Sequence, residues 1–377
     1  MRVGVFTYGM NEQLTGIGRY TVELLNNLRR LAADVEIVLL NPYPDSQLAM
    51  YREFEQFAVP SLARLPVALT AGAGVLEGAA RTLRLDILHD PCGIAPFPLV
   101  GSVRAAWKRV VTVHDAVPFL FPRLQPLLTN LTFQTRVRWS RSSADAILTV
   151  SECAKRDLVR CMRVPESKVH VTELGTARPT DGQIDAWRGR VAELRTWRID
   201  RQYFLFVGSV NPRKNVARAL AAFADIVGAG ADVLFVFAGP RSRLPEDVAV
   251  QATALQHRVV WTGYLDNEQL HVLYANAACV IYPSLYEGFG LPVLEGMAHG
   301  VPVISSNTSS IPEVAGDAAL LVDPQDGAAL RHAMGSVLGE PSLAKRLGLA
   351  GYERAARFEW RRTAEKTLRV YEGLLST

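Results

Sequence analysis

The sequence predicts an α/β protein with two doubly wound, Rossmann-like domains that face a cleft. Its 377 residues are about two to three times the length of a typical single domain. Short β-rich runs alternate with longer amphipathic stretches, which is the pattern of parallel βαβ units. The alternation breaks between Gly175 and Asp200 and then restarts. Each half therefore predicts a parallel sheet that binds ligands beyond the carboxyl ends of its strands.

The first half predicts one domain at residues 1–178, followed by a linker at residues 179–200. Its strands are expected at Arg2–Thr7, Val35–Leu40, Asp86–His89, Val110–His114, Ala146–Val150 and Val169–Thr172. Helical patterns lie between them at Gly18–Leu31, Pro126–Ser142 and Glu152–Cys161. Ser151 suits the cap of the last of these helices.

The second half repeats the alternation and predicts a domain at residues 201–356. Its strands are expected at Tyr203–Val207, Val233–Phe237, Val259–Thr262, Cys279–Tyr282, Val301–Ser305 and Ala319–Val322. Helices are expected at Val216–Ile226, Asn267–Ala275, Leu291–His299 and Gly327–Leu338. The C-terminal helix in residues 357–377 either packs on its own domain or crosses back to the first.

Composition excludes several classes of protein. A hydrophobic fraction of 49% and a charged fraction of 21% exclude global disorder and fibrous repeats. No window offers about 18 uninterrupted apolar residues, and the first residues lack a secretory signal pattern. The four cysteines have no CxxC spacing, so a cytoplasmic protein with reduced thiols is expected.

Positive charge is concentrated in the first half. The formal net charge is +4, and residues 101–150 hold seven Lys and Arg against two Asp and Glu. This excess favours an anionic partner or surface on that side, with a solvated face as the alternative.

The most informative motif follows the predicted strand that ends at Tyr282. It reads Tyr-Pro-Ser-Leu-Tyr-Glu-Gly-Phe-Gly-Leu-Pro and turns into a helix. The turn exposes the backbone N–H groups of Phe289, Gly290 and Leu291 at a helix N-terminus, where the neighbouring glycines let a ligand come close. This arrangement suits a phosphate or diphosphate.

Charged side chains flank this turn. Glu287 lies in the turn and Glu295 in the helix, and sugar or ribose hydroxyls are the natural targets of carboxylates placed beside a phosphate. The alternative is that both act as surface caps. Arg213 and Lys214 follow another predicted strand, where two cations can clamp a diphosphate and neutralise a leaving group.

Two further motifs lie in the first half. Gly16-Ile-Gly18 is interpreted as a glycine loop that lets the domain close over a ligand, because the third glycine of a dinucleotide fingerprint is missing. His114 and Asp115 end a predicted strand, which favours contact with a substrate hydroxyl or the reacting centre. The sequence has no GxxxxGK[ST], HExxH, GxSxG or Asp-x-Asp motif, so no metal site is predicted.

Taken together, these motifs resemble those of retaining nucleotide-sugar glycosyltransferases of the GT-B fold, family 4, over nearly the whole chain. The resemblance implies that Glu295 binds the donor's ribose, that Glu287 binds the transferred sugar, and that the amides of residues 289–291 hold the diphosphate. Arg213 and Lys214 match the family's basic pair at the phosphates.

The resemblance also implies roles for other residues. His114 matches a first-domain histidine near the sugar hydroxyls, and Gly16 to Gly18 match the loop under the diphosphate. Tyr264 and Leu265 belong to the stretch whose backbone reads the base. Ser209 departs from the family pattern, in which an arginine often follows the strand-end glycine.

The function expected from this likeness is transfer of a hexose from a nucleoside diphosphate sugar to a saccharide or lipid-linked acceptor, without metal or other cofactor. The first domain would bind the acceptor and the second the donor. Similarity to bacterial mannosyltransferase-like enzymes makes GDP-mannose the preferred donor, with a UDP-sugar as the alternative. No nucleic acid partner is expected.

Two other function classes and one surface interaction remain open from the sequence. A sugar-nucleotide epimerase can share the two-domain fold, and a non-catalytic nucleotide-sugar binding module would use the same pocket. Residues 127–141 combine apolar side chains with Arg136, Arg138 and Arg141. They predict either an ordinary amphipathic helix or an anchor on the inner face of an anionic membrane.

Overall fold

The computed structural model describes residues 1–12, 14, 16–94, 97–98, 105–124, 127–240 and 244–376. The chain divides into two compact units. Unit 1 comprises Met1–Gly175 together with Trp360–Thr377, and unit 2 comprises Thr176–Glu359. Each unit is built on a wholly parallel sheet flanked by helices, which confirms the predicted fold class of two doubly wound α/β domains.

The strands of unit 1 are β1 Arg2–Phe6, β2 Glu36–Asn41, β3 Glu55–Ala58, β4 Ile87–Asp90, β5 Lys108–Thr112, β6 Ala146–Thr149 and β7 Val169–Val171. Those of unit 2 are β8 Tyr203–Val207, β9 Leu234–Ala238, β10 Val259–Gly263, β11 Cys279–Tyr282, β12 Val303–Ser306 and β13 Leu320–Val322.

The helices are α1 Gly16–Leu31, α2 Met50–Glu53, α3 Leu65–Leu83, α4 Val117–Leu120, α5 Leu127–Ser143, α6 Glu152–Met162, α7 Asp181–Arg188, α8 Val191–Thr196, α9 Val216–Gly228, α10 Glu246–Ala254, α11 Asn267–Asn276, α12 Leu291–Ala298, α13 Ile311–Ala315, α14 Gly327–Gly339, α15 Pro341–Ala355 and α16 Trp360–Leu375.

The order of the strands creates one switch point in each sheet. The seven-stranded sheet runs β3-β2-β1-β4-β5-β6-β7, and the six-stranded sheet runs β10-β9-β8-β11-β12-β13. The chain therefore moves outward in opposite directions from β1 and β4, and likewise from β8 and β11. Beyond the carboxyl ends of such a strand pair, the connecting loops diverge and leave room for a ligand.

Several segments differ from the sequence expectation, among them one strand and the predicted linker. The edge strand β3 was not predicted, because it is only four residues long and its sequence, Glu-Gln-Phe-Ala, is half polar. The predicted linker at residues 179–200 contains α7 and α8, and both helices belong to unit 2. Their buried Ile184, Trp187 and Leu194 explain this, since apolar side chains on one face of a short helix favour docking on a folded unit.

Helix α16 is part of unit 1 and packs against α1. Its Tyr371 hydroxyl lies 2.6 Å from Nδ1 of His89, whose Nε2 lies 2.8 Å from the Thr112 hydroxyl. That hydroxyl lies 3.1 Å from the hydroxyl of Tyr20. Burial, aided by the nearby His114, lowers the pKa of His89 to about 3. His89 is therefore neutral, and both of its ring nitrogens are hydrogen-bonded within the core.

Replacing Tyr371 by Phe should destabilise unit 1 because it leaves one nitrogen of the buried His89 without its partner. We expect Tyr371→Phe to lower the free energy of unfolding by about 1–3 kcal/mol in urea denaturation. The control is Tyr43→Phe in the same unit, since the Tyr43 hydroxyl accepts an exposed hydrogen bond from the amide of Gly9. Equal unfolding midpoints for the two variants would contradict the expectation.

Candidate functional site

A glycine turn connects β11 to α12 at the switch point of unit 2. Gly290 has a φ of +106°, and a Cβ atom at this position would lie 2.6 Å from Cδ1 of Ile311. Only glycine fits both conditions. No side chain caps α12, and Pro292 occupies its first turn. The helix N-terminus therefore presents backbone amides of Phe289, Gly290 and Leu291 as the positive end of the helix dipole.

Two serines that the sequence analysis did not select hold this turn from behind. The Ser310 hydroxyl lies 2.9 Å from both the Glu287 and the Phe289 carbonyl oxygens, and the Glu287 amide donates to the Ser309 hydroxyl at 3.0 Å. In the sequence, these serines belong to a polar stretch, Thr308-Ser-Ser, that follows a strand. Their contacts with the turn are tertiary, so the sequence alone does not reveal them.

The basic pair lies in a second loop, which follows β8. Arg213 and Lys214 end a single 3₁₀ turn, and Asn215 then adopts a left-handed conformation with φ of +56°. The Asn215 side-chain amide donates to the Pro283 carbonyl at 3.1 Å. The Leu285 amide also donates to the Arg213 carbonyl at 2.8 Å. These bonds join the loops that follow β8 and β11.

Glu287, Lys214 and Arg213 form one ion cluster. Lys214 Nζ lies 2.6 Å from Oε1 of Glu287, and Arg213 Nη1 lies 3.0 Å from Oε2. Glu287 is 7% exposed and Lys214 is 8% exposed. Lys214 Nζ also contacts the Tyr282 hydroxyl and lies 4.5 Å from the centre of that ring. The structure thus brings together three of the four residues predicted to be catalytic.

The charge state of this cluster follows from its geometry. Burial alone raises the pKa of Glu287, but the charge of Lys214, followed by that of Arg213, outweighs it and leaves the pKa lowered. Burial is also the main cause that raises the pKa of Tyr282 well above its ordinary value. Glu287 is therefore a carboxylate at neutral pH, and Tyr282 is a neutral phenol.

The other predicted donor-binding residues of unit 2 lie on the same edge of the sheet. Glu295 is on α12, is 5% exposed, and accepts a hydrogen bond of 2.7 Å from the Tyr274 hydroxyl. Tyr264 and Leu265 follow β10, where Gly263 has a φ of +76°. Tyr264 is 56% exposed. Tyr264 and Leu265 therefore lie beyond the carboxyl end of β10, and Glu295 lies on the helix that follows the carboxyl end of β11.

His114 belongs to unit 1 and lies two residues beyond β5. Its Nε2 is 2.9 Å from the Pro91 carbonyl oxygen, and its ring packs edge-on against Tyr20 at 4.9 Å. Burial lowers the pKa of His114 to about 4. A carbonyl oxygen only accepts, so Nε2 of the neutral ring carries the proton and Nδ1 is an acceptor. This leaves His114 able to accept a hydrogen bond from a hydroxyl.

The interpretation of Gly16 and Gly18 as a loop differs from the structure. Both residues lie in the first turn of α1. A Cβ atom on Gly18 would lie 2.8 Å from Cδ2 of Leu14, whereas one on Gly16 would meet nothing within 4 Å. The helix begins two residues earlier than expected because two glycines near a helix start are tolerated when the following turns are amphipathic.

Two further features are absent from the described residues. They contain no group of three or more His, Cys, Asp or Glu side chains that could hold a metal ion. In the same part of the chain, no helix is both long and apolar enough to cross a bilayer.

Comparisons with known proteins relate both units to glycosyltransferases. The model described as Glycosyl transferases group 1 matches residues 195–354, and that described as Glycosyltransferase Family 4 matches residues 14–176. O-antigen chain mannosyltransferase B of Escherichia coli is 29% identical over 99% of this chain and 100% of its own length. MMP alpha-(1->4)-mannosyltransferase of Mycolicibacterium hassiacum is 27% identical over 100% of this chain and 99% of its own.

A solved structure shares the fold over the full length. Sucrose-phosphate synthase from Thermosynechococcus elongatus superimposes with a TM-score of 0.78 at 21% identity, covering 100% of this chain and 99% of its own.

The ion cluster predicts that Glu287 competes with anionic ligands for Lys214 and Arg213. Glu287→Gln removes the competing charge and leaves both cations in place, so pyrophosphate should bind at least about tenfold more tightly in titration calorimetry. Pyrophosphate should also raise the melting temperature of this variant more than that of the wild type.

The matched control is Glu340→Gln, which removes one exposed carboxylate elsewhere in unit 2. It should bind pyrophosphate like the wild type. If Glu287→Gln bound pyrophosphate no more tightly than this control, Glu287 would not be a competitor.

Proposed function

Because this chain belongs to the family 4 glycosyltransferases of the GT-B fold, we propose that it transfers a mannosyl group from GDP-mannose to a saccharide hydroxyl during polysaccharide synthesis. The observation that carries the proposal is the cluster of Arg213, Lys214 and Glu287 beside the N-terminus of α12. Two cations and a helix N-terminus suit a diphosphate, and a carboxylate next to them suits the hydroxyls of the attached sugar.

The diphosphate is the group that accumulates charge during the reaction. As the bond from the anomeric carbon to the phosphate oxygen breaks, negative charge develops on the departing nucleoside diphosphate. Lys214, Arg213 and the amides of Phe289, Gly290 and Leu291 are preorganised to stabilise that charge, which is the largest contribution expected of such a site. No metal ion or other cofactor enters this route.

Glu287 changes partners when the donor binds. In the free protein its two oxygens engage Lys214 and Arg213. The phosphates take over both cations, and the carboxylate then accepts hydrogen bonds from hydroxyls of the transferred sugar. Glu295 accepts those of the ribose, and the backbone at Tyr264 and Leu265 contacts the base.

Unit 1 supplies the remaining residues of the proposal. His114 is neutral at working pH, and its Nδ1 can accept a hydrogen bond from a sugar hydroxyl. Gly16 and Gly18 lie in the first turn of α1, where Gly16 is exposed and could approach a phosphate through its backbone, whereas Gly18 is buried.

The proposed reaction retains the configuration of the anomeric carbon. The acceptor oxygen forms its bond on the face from which the diphosphate departs, and the departing phosphate oxygen takes the acceptor's proton. Glu287 is the alternative nucleophile. A covalent glycosyl adduct on Glu287 would overturn the same-face route.

The choice of sugar and acceptor rests on the relatives. Both full-length relatives described above are named mannosyltransferases, which supports a mannosyl donor and a saccharide acceptor. A UDP-sugar is the alternative donor. A lipid-linked acceptor at the inner face of the plasma membrane would suit the positive charge of residues 101–150. Flotation with anionic vesicles at low salt tests that contact.

A panel of labelled nucleotide sugars tests the proposal. With a mannosylated oligosaccharide acceptor present, we expect release of GDP from GDP-mannose together with a glycosylated product. The alternative of a sugar-nucleotide epimerase predicts an isomerised nucleotide sugar without acceptor, and a binding module predicts neither product. The family match favours the transferase.

Lys214→Ala should lower kcat at saturating donor at least about a hundredfold, because it removes a charge that stabilises the leaving group. Lys345→Ala removes an exposed lysine of unit 2 and should keep the wild-type kcat. Near-normal turnover of Lys214→Ala at saturating donor would refute its role.

A further inference from the structure

A buried group of side chains leads away from Glu295, the residue that the proposed function assigns to the donor's ribose. Tyr274 on α11 donates its hydroxyl hydrogen bond to Oε2 of Glu295 at 2.7 Å. His299, which ends α12, lies with Nδ1 2.7 Å from the backbone oxygen of Glu295. His271, one turn before Tyr274, lies with Nδ1 2.8 Å from Nε2 of His299. The sequence analysis selected none of the three as a site residue.

The direction of these hydrogen bonds follows from donor and acceptor chemistry. The Glu295 carbonyl oxygen only accepts, so Nδ1 of His299 carries a proton. In the neutral ring, Nε2 of His299 is then an acceptor, and Nδ1 of His271 must be the donor to it. The hydrogen bonds therefore run in one order, from His271 through His299 to the backbone of Glu295.

Stacked rings hold the same group in place. The ring of Tyr274 stacks on His299 with centroids 5.0 Å apart and planes 21° apart. The indole of Trp187 on α7 stacks on His271 at 4.3 Å and 9°. Its Nε1 donates to Glu268 at 3.2 Å. Aromatic stacking of this kind fixes ring orientation as well as burying area.

We propose that Tyr274 and the His299–His271 pair are positioning residues for the Glu295 carboxylate, with the Trp187 indole holding the pair in place. This inference rests on the proposed function, because it assigns Glu295 to the ribose. A carboxylate has about four lone-pair sites, and Tyr274 occupies one of them. The hydrogen bond from Tyr274 thus orients the Glu295 carboxylate, and the remaining lone pairs can accept hydrogen bonds from the two ribose hydroxyls.

Ribose contacts are alike in the ground state and the transition state, so losing this orientation should weaken donor binding and spare turnover. We expect Tyr274→Phe to raise the donor KM and the calorimetric Kd for GDP roughly tenfold, with kcat within about twofold of wild type. His299→Ala should have the same effect. His299→Asn should largely restore binding, because its side-chain amide can donate where Nδ1 did.

The control is Tyr203→Phe. Tyr203 is 1% exposed and donates a hydrogen bond of the same length, 2.7 Å, to the Leu273 carbonyl in the same helix, α11. It has no contact with Glu295 in the described hydrogen bonds. Its donor KM and Kd should match the wild type, even if its stability falls. All variants are compared well below their melting temperatures, where nearly all of the protein is folded, so that a loss of stability does not change the apparent KM or Kd.

Glu295→Ala separates this inference from the function on which it rests. If Glu295→Ala raises the donor KM while Tyr274→Phe behaves like Tyr203→Phe, the positioning role is refuted and the ribose role of Glu295 stands. If Glu295→Ala leaves the KM unchanged, both are refuted. If GDP and UDP both fail to bind the wild-type protein, the proposed function itself fails.

Discussion

The carboxylate of Glu287 lies between two cations that come from a different loop, and the order of the site depends on this ion cluster. Removing charges from water is costly, and their mutual attraction offsets the cost only when each charge is paired with good geometry. The buried Lys214 ammonium is therefore stable only beside Glu287, and this pairing holds the loop after β8 against the turn after β11. The backbone bond from Leu285 to Arg213 strengthens the same constraint.

This constraint gives the site its capacity for chemistry. The cations are held at the N-terminus of α12 before any ligand arrives, so little reorganisation is needed when an anion binds. The turn itself is fixed by the backbone conformation at position 290, which requires glycine, and by the Ser310 hydroxyl, which bonds to the turn. The carboxylate is buried beside the cations and pairs one oxygen with each of them.

The sequence predicted most strands and the turn that begins α12, because both have local signals. Parallel strands buried on two faces are continuous apolar runs, such as Tyr203–Val207, and the glycine turn follows one of them directly. Strand β3 lacks such a run. The start of α1 at Gly16 was not predicted because glycine has a low helix propensity. The contacts of Tyr274 and His299 with Glu295 depend on how α11 packs beside α12, and no spacing along the chain reveals this.

The placement of α16 affects the order in which the two units can complete their folding. Unit 2 is one continuous stretch, whereas unit 1 needs the last helix, whose Tyr371 completes the buried polar chain at His89. Residues 176–359 are translated before α16. Residues 1–175 are therefore synthesised first, but the core of unit 1 is completed only after α16 has left the ribosome.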